Sequence, residues 1–343
     1  MHEGHDCCAP VGRAEPIGRA EPIGRAALIG GAVGHVGAAA TAGTEGSGHR
    51  IAQATVPAQT FLMGDALGDA KWGDGETPVH PVSLDAFEID TTSVTNDDFA
   101  RFVDATGYRT EAESFGYSAV FHLAFAGADD DVLGQPPQTP WWLGVRGADW
   151  RHPGGPASSV DELGDHPVVH VSWNDAVAYC DWAGRALPTE AQWEAASRGG
   201  LDGARYPWGD DLRDPSATDD LWRVNIWQGV FPTENTLDDG FLTTAPVRSF
   251  GPNAYGLWQT VGNVWEWCAD AWSATTYASD AEAGTVHAPT GPSVDAPDAP
   301  RLMRGGSYLC HDSYCNRYRN AARSSNTPDS SMGNAGFRTV SRV

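Results

Sequence analysis

Two cysteines, Cys310 and Cys315, are the residues best suited to chemistry, because only four residues separate them. Ser307 precedes the pair and His311 lies between the two thiols. A turn of this length permits a structural disulfide or a redox pair. Two soft thiolates can instead hold Cu(I) and leave room for a third sulfur, whereas structural zinc needs four ligands and only His311 is local. On these residues alone we favour a disulfide or redox pair first, copper second and zinc last.

Arginines surround this pair in a chain that is otherwise acidic. The 343 residues carry a formal net charge of −23, which argues against a nucleic-acid-binding protein. Residues 301–343 hold seven arginines and two acidic residues, a local charge of +5 that leaves −28 for the remainder. This basic segment could steer an anionic or peptide ligand, or it could pair with carboxylates of the body. Arg304, Arg317 and Arg319 would also favour the thiolate forms of the cysteines.

Oxygen-bearing side chains elsewhere suit a harder ion than copper. Asn225, Asp238, Asp239 and Glu266 lie in loops rich in glycine and asparagine, whose carbonyl groups could add further ligands for Ca²⁺. Such an ion would fix irregular loops that lack ladder hydrogen bonds. Because the spacing matches no recognisable calcium loop, composition alone favours a solvated acidic surface over a calcium site.

The first 50 residues differ from the rest of the chain. They contain GRAEPI twice in tandem and have little to bury, so we predict a disordered tail over residues 1–50 and one folded domain over residues 51–343. Residues 27–40 are weakly apolar, but their many glycines argue against a signal peptide. No run of residues is long and apolar enough to span a membrane. Four side chains of the tail could bind a metal adventitiously: His2, His5, Cys7 and Cys8.

Capping signals and hydrophobic periodicity predict a mixture of short elements. Helices are predicted after Thr95, Ser172 and Thr189, each of which begins a capping box, and Gly107 and Gly199 are the predicted stops of the first and third. Strands are predicted at Thr60–Met63, Val82–Asp90 and Val168–Val171, and loops at residues 127–140 and 273–300.

Several familiar catalytic patterns are missing from the sequence. There is no glycine-rich phosphate loop, and Ser307 lies in G-G-S-Y rather than in the G-x-S-x-G elbow of hydrolases. His166 and His170 are four residues apart but straddle Pro167, without the helical zinc-binding pattern. We therefore interpret both histidines as structural.

Five segments resemble the formylglycine-generating enzymes, also called sulfatase-modifying factors. They are WWLGVRGADWRHPGGP (141–156), HPVVHVSWNDAVAYCDWAGRALPTEAQWEAASRGG (166–200), NIWQGVFPTENTLDDGF (225–241), NAYGLWQTVGNVWEW (253–267) and SYLCHDSYCNRYRNAARSSNTPDSS (307–331) followed by GFR (336–338). The likeness extends from about residue 52 onwards. It implies an α+β fold, a single compact and irregular domain of the variant C-type-lectin-like kind with little regular secondary structure.

The resemblance also implies an activity. These enzymes oxidise a cysteine within Cys-x-Pro-x-Arg of an unfolded or nascent sulfatase to Cα-formylglycine, with O₂ as the oxidant. The two cysteines that match Cys310 and Cys315 hold Cu(I), which places copper ahead of the disulfide. Ser307 matches the active-site serine, which would position the oxygen species or the substrate thiolate.

Further roles follow from the same resemblance. Trp265 would wall the oxygen pocket, while Arg319 and Asn334 match positions that line the peptide groove; framework hydrogen bonding is the alternative for the last two. Two structural calcium sites are implied as well. The first would use Asn225 and Asp239 with the carbonyls of Ile226 and Phe241, and the second Gln259 and Glu266 with the carbonyls of Gly262 and Val264. Gln259 stands where asparagine is expected, so its reach differs.

Two other functions remain open from the residues. One is a non-catalytic, lectin-like binding module of the same fold, and the other is a metal-free thiol–disulfide oxidoreductase that uses the same pair. Cys180 lacks the partners of animal relatives, because Asn320 and Thr339 stand where their cysteines would be. We therefore expect a bacterial cytoplasmic protein, a monomer, with a sulfatase polypeptide as partner and neither nucleic acid nor membrane.

Overall fold

Three of the described helices begin after the residues that the sequence marks as N-caps. The computed structural model describes residues 48–70, 73–213, 222–294 and 296–342, so residues 1–47 of the predicted tail lie outside the described residues. Thr95 accepts the N–H of Asp98 and Gly107 ends the helix with a φ of 68°. The same reciprocal caps confirm the helices predicted after Ser172 and Thr189. The α-helices are α1 (Asn96–Thr106), α2 (Glu111–Phe115), α3 (Trp173–Ala183), α4 (Glu190–Arg198) and α5 (Thr276–Ala283).

Short strands form five small sheets in the described part of the chain. The strands are β1 (Gln53–Val56), β2 (Gln59–Met63), β3 (His80–Leu84), β4 (Phe87–Asp90), β5 (Tyr117–Phe121), β6 (Val132–Gly134), β7 (Trp142–Arg146), β8 (Arg185–Ala186), β9 (Gly229–Val230), β10 (Glu234–Asn235), β11 (Trp265–Ala271), β12 (Val286–His287), β13 (Arg301–Arg304), β14 (Arg323–Asn326), β15 (Ala335–Gly336) and β16 (Val340–Ser341). The strand predicted at Thr60–Met63 is confirmed as part of β2. The single strand predicted at Val82–Asp90 is instead two strands, because β3 pairs with β2 whereas β4 pairs with β1.

The strand predicted at Val168–Val171 is wrong, although all four residues are buried. Their backbone groups bond to separate partners rather than to one ladder: Val168 N–H donates to Val94 and His170 N–H to Met332. His170 also has a φ of 58°, in the left-handed region, which interrupts an extended backbone. The segment is thus buried without being part of a sheet.

Two segments predicted as loops contain regular elements. Residues 127–140 include a 3₁₀ turn, Asp129–Asp131, and β6, which pairs with β7. Residues 273–300 include α5, which buries Tyr277, and β12, which pairs in parallel with β3. Neither segment has a clear apolar period, and their order comes from tertiary contacts that local sequence does not encode.

One sheet carries the cysteine pair. Its strand order is β14–β13–β11–β15, and β13 and β14 are antiparallel neighbours. The chain between them, residues 305–322, contains both Cys310 and Cys315. We call this connection the cysteine turn. Because β13 and β14 are paired from Arg304↔Arg323 onwards, the two ends of the turn are held side by side.

The main hydrophobic core lies beneath this turn. It includes Cys310 and Cys315 themselves, together with Trp227, Trp265 and Trp267. No helix in the described residues is long and apolar enough to cross a membrane. With a few short helices, many short strands and long ordered connections, the molecule is one α+β domain, as the sequence predicts.

Candidate active site

The cysteine turn brings its two thiols into the same buried loop. Cys310 and Cys315 are each 1% exposed, and both are thiols rather than halves of a disulfide. The carbonyl of His311 accepts the N–H groups of Tyr314, Cys315 and Asn316, at 3.1, 2.9 and 3.0 Å. This multiple acceptance folds the residues between the cysteines into a tight bend. The bend lies between two arms, the Cys310 arm (residues 305–310) and the Cys315 arm (residues 315–323).

Ser307 lies at the centre of the Cys310 arm. Its N–H donates to Cys310 Sγ at 3.4 Å, and its hydroxyl accepts the side-chain amide of Asn334 at 2.9 Å. Asn334 in turn accepts the N–H of Trp265 on its backbone carbonyl, at 2.8 Å. The structure therefore brings together four residues that the sequence singled out: Cys310, Ser307, Asn334 and Trp265. All four are buried, and within the described chain the Asn334 Oδ1 and Trp265 Nε1 atoms have no hydrogen-bond partner.

Backbone hydrogen bonds to two neighbouring segments, one at Trp227 and one at Gly262 and Asn263, hold the Cys310 arm. Trp227 N–H donates to the Cys310 carbonyl at 3.1 Å, and Tyr308 N–H donates to the Asn263 carbonyl at 2.9 Å. Gly262 N–H donates to the Gly305 carbonyl at 2.9 Å. A Cβ at Gly262 would lie 2.5 Å from the carbonyl oxygen of Asn225, so only glycine fits this approach. The arm is thus attached to the segment that carries the predicted calcium ligands.

Ion pairs hold the Cys315 arm, in addition to a backbone hydrogen bond from Asn320 N–H to the Arg205 carbonyl at 2.9 Å. Arg317 bonds both oxygens of Asp74, at 2.7 and 2.8 Å, and Arg319 bonds both oxygens of Glu76, at 2.8 and 2.9 Å. Arg323 donates to the Gly75 carbonyl between them, at 2.9 Å. We call the three residues Asp74–Glu76 the acidic strap. Sequence reasoning missed the strap, which lies some 240 positions away from the arm along the chain and follows no motif.

These contacts correct the role first given to the arginines. Arg304, Arg317 and Arg319 were expected to favour thiolates, but each of them pairs with carboxylates. Arg304 bonds Glu190 at 2.8 Å and also pairs with Glu194. Since their charge is balanced locally, they supply little net field at the sulfurs. The basic segment therefore pairs with the acidic body, one of the two interpretations of its charge.

The first predicted calcium cluster is assembled by the fold. Asp239 accepts the N–H groups of Ile226 and Phe241, both at 3.0 Å. The side-chain oxygens of Asn225 and Gln228 are buried and have no hydrogen-bond partner among the described residues. Unpartnered buried oxygens are costly unless a ligand supplies the missing interaction. This donor set fits a hard cation, and Gln228 is a candidate that sequence reasoning missed although it stands within the NIWQ motif.

The second predicted cluster fits less well. Gln259 has a buried, unpartnered Oε1 in the described chain. Both carboxylate oxygens of Glu266, however, already accept hydrogen bonds. Arg338 donates to them at 2.6 and 2.7 Å, and Ser93 and Trp193 donate to them as well. A cation would have to compete with a buried guanidinium for this carboxylate. The remaining predicted ligands, the carbonyls of Gly262 and Val264, lie on the backbone that precedes β11.

The histidines make structural contacts. The two nitrogens of buried His170 lie 2.8 Å from Ser118 Oγ and 2.8 Å from the Pro153 carbonyl. Burial lowers the pKa of His170 to about 4, so the ring is neutral near pH 7. Among the described residues no three His, Cys, Asp or Glu side chains gather closely enough to hold a metal, which leaves the two thiols and the mixed oxygen cluster as candidates.

An aromatic cluster adjoins Cys315. Tyr314 stacks on Phe231 with 4.2 Å between ring centroids, and Trp141 meets both rings edge-on, at 5.1 and 5.3 Å. All three are partly exposed. The nearby Trp142 and Trp150 pack in the core. Trp141 instead lies at the edge of the cysteine turn.

Comparison with known proteins agrees with this geometry. Residues 40–343 match the family model described as "Sulfatase-modifying factor enzyme 1-like domain". A Streptomyces coelicolor relative named "Formylglycine-generating enzyme" is 60% identical over 286 residues, which are 83% of this chain and 88% of the relative. A Bos taurus relative named "Inactive C-alpha-formylglycine-generating enzyme 2" is 42% identical over 300 residues, 86% of this chain and 90% of the relative. The solved structure of PvdO from Pseudomonas aeruginosa has a TM-score of 0.59 at 21% identity and covers 84% of this chain and 93% of that one, a likeness in fold alone.

The chain is thus more similar to a relative named as a generating enzyme than to one named inactive. The match covers the whole folded domain, including both arms of the cysteine turn. The protein belongs to the formylglycine-generating enzyme family, the sulfatase-modifying factors, and is an enzyme of that family.

Proposed function

We propose that this enzyme converts a cysteine of a sulfatase polypeptide to Cα-formylglycine, with O₂ as oxidant and Cu(I) held by Cys310 and Cys315. The observation that carries the proposal is the buried pair of thiols, with Ser307 N–H on Cys310 Sγ and Asn334 on the Ser307 hydroxyl. The family relatives' names support the conversion, and the residues of the turn support the metal and the oxidant.

Two buried thiols are a soft donor set, which suits Cu(I) better than calcium, and they are fewer than the four ligands of structural zinc. Bound there, copper would supply a redox centre and a position for a third sulfur. The chain's own residues do the rest. Burial of the turn excludes bulk water, Ser307 donates its N–H to Cys310 Sγ, and Asn334 fixes the orientation of the Ser307 hydroxyl.

The overall stoichiometry requires an external reductant. Converting R–CH₂–SH and O₂ to R–CHO, H₂S and H₂O takes up two electrons and two protons. A small-molecule thiol can supply both by forming its own disulfide. An assay of the proposed reaction must therefore contain a small-molecule thiol.

For the peptide groove we propose Asn334 and Trp265 at its base. Both ends of the Arg319 guanidinium contact Glu76, so we assign it a supporting rather than a contacting role. The client would be an unfolded or nascent sulfatase bearing Cys-x-Pro-x-Arg, since a buried thiol pair can meet a cysteine only on an extended chain. We also propose Ca²⁺ at the Asn225–Asp239 cluster, with the Gln259–Glu266 site the weaker of the two.

We propose that the protein works as a monomer in the bacterial cytoplasm. Support comes from Cys180, a buried thiol whose pKa is raised by burial and which has no disulfide partner in the described chain. A cytoplasm keeps such thiols reduced.

The decisive experiment incubates the Cu(I)-loaded protein with a Cys-x-Pro-x-Arg peptide, a thiol and air, and traps the aldehyde with a hydrazine. We expect aldehyde from the wild type and a loss of more than about 100-fold in Cys310→Ser and Cys315→Ser, since even residues outside the ligand sphere cost 10–100-fold. A folded, copper-loaded sample that makes no aldehyde would rule the proposal out. Turnover without oxygen, unaffected by a Cu(I) chelator, would identify a thiol–disulfide oxidoreductase instead. Unchanged activity in the serine variants would exclude any role for the pair.

A further inference from the structure

The acidic strap holds the chain that leaves Cys315 at three successive points. Asp74 and Glu76 each bond an arginine through both carboxylate oxygens, while the Gly75 carbonyl between them accepts from Arg323. Bidentate pairs of this kind fix orientation as well as distance. Three neighbouring residues thus define the path of the Cys315 arm.

The strap itself is fixed in place. Glu76 accepts the Asp65 N–H on its carbonyl at 2.9 Å, which closes the base of its loop. Gly75 has a φ of 67°, and a Cβ there would lie 2.6 Å from the Ala274 carbonyl oxygen and 2.7 Å from an Arg323 nitrogen. No residue larger than glycine fits at position 75, so the strap is closely packed at its centre.

Backbone contacts carry this constraint to both cysteines. Arg319 Nε donates to the Asn316 carbonyl at 2.7 Å, and Asn316 N–H donates to the His311 carbonyl at 3.0 Å, inside the bend. On the other side, the Arg317 carbonyl oxygen would lie only 2.7 Å from a Cβ at Gly306. Arg317 is therefore packed directly against the residue before Ser307, so its position sets one arm against the other.

We propose that Asp74 and Glu76 are positioning residues for the thiol pair, and that the strap determines where Cys315 Sγ stands relative to Cys310 Sγ. The inference extends the proposed function, since the pair is what it positions. The consequence is selective: loosening the strap frees the Cys315 arm while the Cys310 arm keeps its backbone bonds to Trp227 and Asn263. Copper affinity should fall because both sulfurs must be presented together.

The test measures alkylation of each cysteine in the metal-free protein. The full chain is exposed to iodoacetamide, and modification of Cys310, Cys315, Cys180 and Cys268 is followed by peptide mass spectrometry. All four are buried, so their rates report local opening. In Asp74→Asn we expect the rate at Cys315 to rise about tenfold, as loss of a charged hydrogen bond implies, with Cys310 changing less than about twofold.

A second variant, Arg317→Gln, changes the charge in the opposite direction. It separates an effect on the position of Cys315 from an effect on the acidity of its thiol. Asp74→Asn removes a negative charge and Arg317→Gln removes a positive one, so an effect on thiol acidity would move the Cys315 rate in opposite directions. An effect of position raises it in both. Asp90→Asn is the matched control, because it breaks the buried Asp90–Arg185 pair, which joins β4 to β8 rather than the strap to the turn, and should not single out Cys315.

Equal acceleration of all four cysteines in both strap variants would overturn the proposal, since the strap would then serve general stability alone. An unchanged Cys315 rate would overturn it as well. A second readout is Cu(I) affinity by competition with a chromogenic chelator, expected to fall about tenfold, near the lower end of the range for residues outside the ligand sphere. Because alkylation uses neither copper nor substrate, failure of the aldehyde assay and failure of the strap proposal can be told apart.

Discussion

The two arms of the cysteine turn are held by different kinds of interaction. The Cys310 arm is held by backbone hydrogen bonds to two segments, at Trp227 and at Asn263, which no side-chain substitution removes directly. The Cys315 arm is held by the carboxylates of the acidic strap through Arg317 and Arg319. One thiol therefore depends on backbone hydrogen bonds, and the other on charges that mutation can remove.

The difference has an energetic side. A backbone hydrogen bond contributes about 1 kcal/mol net, and several of them give a modest but distributed hold. A buried ion pair contributes little relative to an apolar pair, yet breaking it by removing one partner costs about 3–5 kcal/mol. We therefore expect a single substitution in an ion pair to release the Cys315 arm. The Cys310 arm should loosen in smaller steps, as individual hydrogen bonds are lost. We test this difference with four predictions, taken in decreasing order of effect.

Removing the Arg319 side chain should have the largest effect. Arg319→Ala leaves Glu76, which is 1% exposed, buried and unpaired, so we expect about 3–5 kcal/mol of destabilisation by chemical denaturation. The double variant Arg319→Met/Glu76→Met removes both charges and should recover most of that loss. A double variant as unstable as the sum of the two singles would show that the pair is not what holds this arm.

Removing calcium should act on the other arm. With EGTA we expect a loss of about 2.7 kcal/mol when free calcium had been near 100 times its dissociation constant, and faster alkylation at Cys310 than at Cys315. The proposed calcium cluster is connected directly to the Cys310 arm. Ile226 N–H donates to Asp239, and the next residue, Trp227, donates its N–H to the Cys310 carbonyl. Asn225→Ala should abolish the response. A melting temperature that EGTA leaves unchanged would count against the calcium proposal.

Asp270 should make the stability of the domain sensitive to pH. Burial, and after it the neighbouring Glu190, raises the pKa of Asp270 from 3.8 to about 7, while Glu190 bonds Arg304 and Arg323 at the two ends of the turn. A carboxyl whose pKa is raised on folding adds stability at low pH that is lost as pH rises through 7. Asp270→Asn removes this titration, so it should be more stable than wild type at pH 8 and little different at pH 4. Parallel stability–pH curves for the two proteins would refute the assignment.

The smallest effect is expected at Asn334. Asn334→Ala removes the donor to the Ser307 hydroxyl, a loss of about 1 kcal/mol, because Ser307 Oγ still accepts the Leu309 N–H at 3.3 Å. Activity should fall more than stability, since the hydroxyl loses its orientation. Equal proportional losses in Asn334→Ala and in a distant control such as Asp181→Asn would remove Asn334 from the site.

Local sequence was sufficient where local interactions decide the structure. The capping boxes at Thr95, Ser172 and Thr189 place three helices correctly because each box is complete within four residues. Val168–Val171 shows the opposite: its apolar run predicts burial correctly, but its hydrogen bonds go to distant, unrelated partners. The period of a short apolar run cannot reveal where its backbone groups are bonded.

The site divides in the same way. Motifs single out Ser307, Asn334 and Trp265 in addition to Cys310. The fold joins them through the Ser307 hydroxyl, which accepts from Asn334, and the Asn334 carbonyl, which accepts from Trp265. The strap could not be found from spacing, because Asp74 and Glu76 belong to an ordinary acidic segment and meet their arginines only through tertiary folding. The charge pattern gave the general indication that the basic segment could pair with the acidic body, without naming which carboxylates would be used.

The position of β15 and β16 has a consequence for synthesis on the ribosome. β15 lies beside β11, and β16 lies between β4 and β8, with Val340 opposite both Ile89 and Ala186. Neither sheet can be completed until residues 335–341 have left the exit tunnel, by which time both cysteines of the turn have already emerged. During that interval the thiols lack their finished enclosure and are open to oxidation or to the wrong ion. Newly made chains therefore expose both thiols until β15 and β16 have paired with β11, β4 and β8.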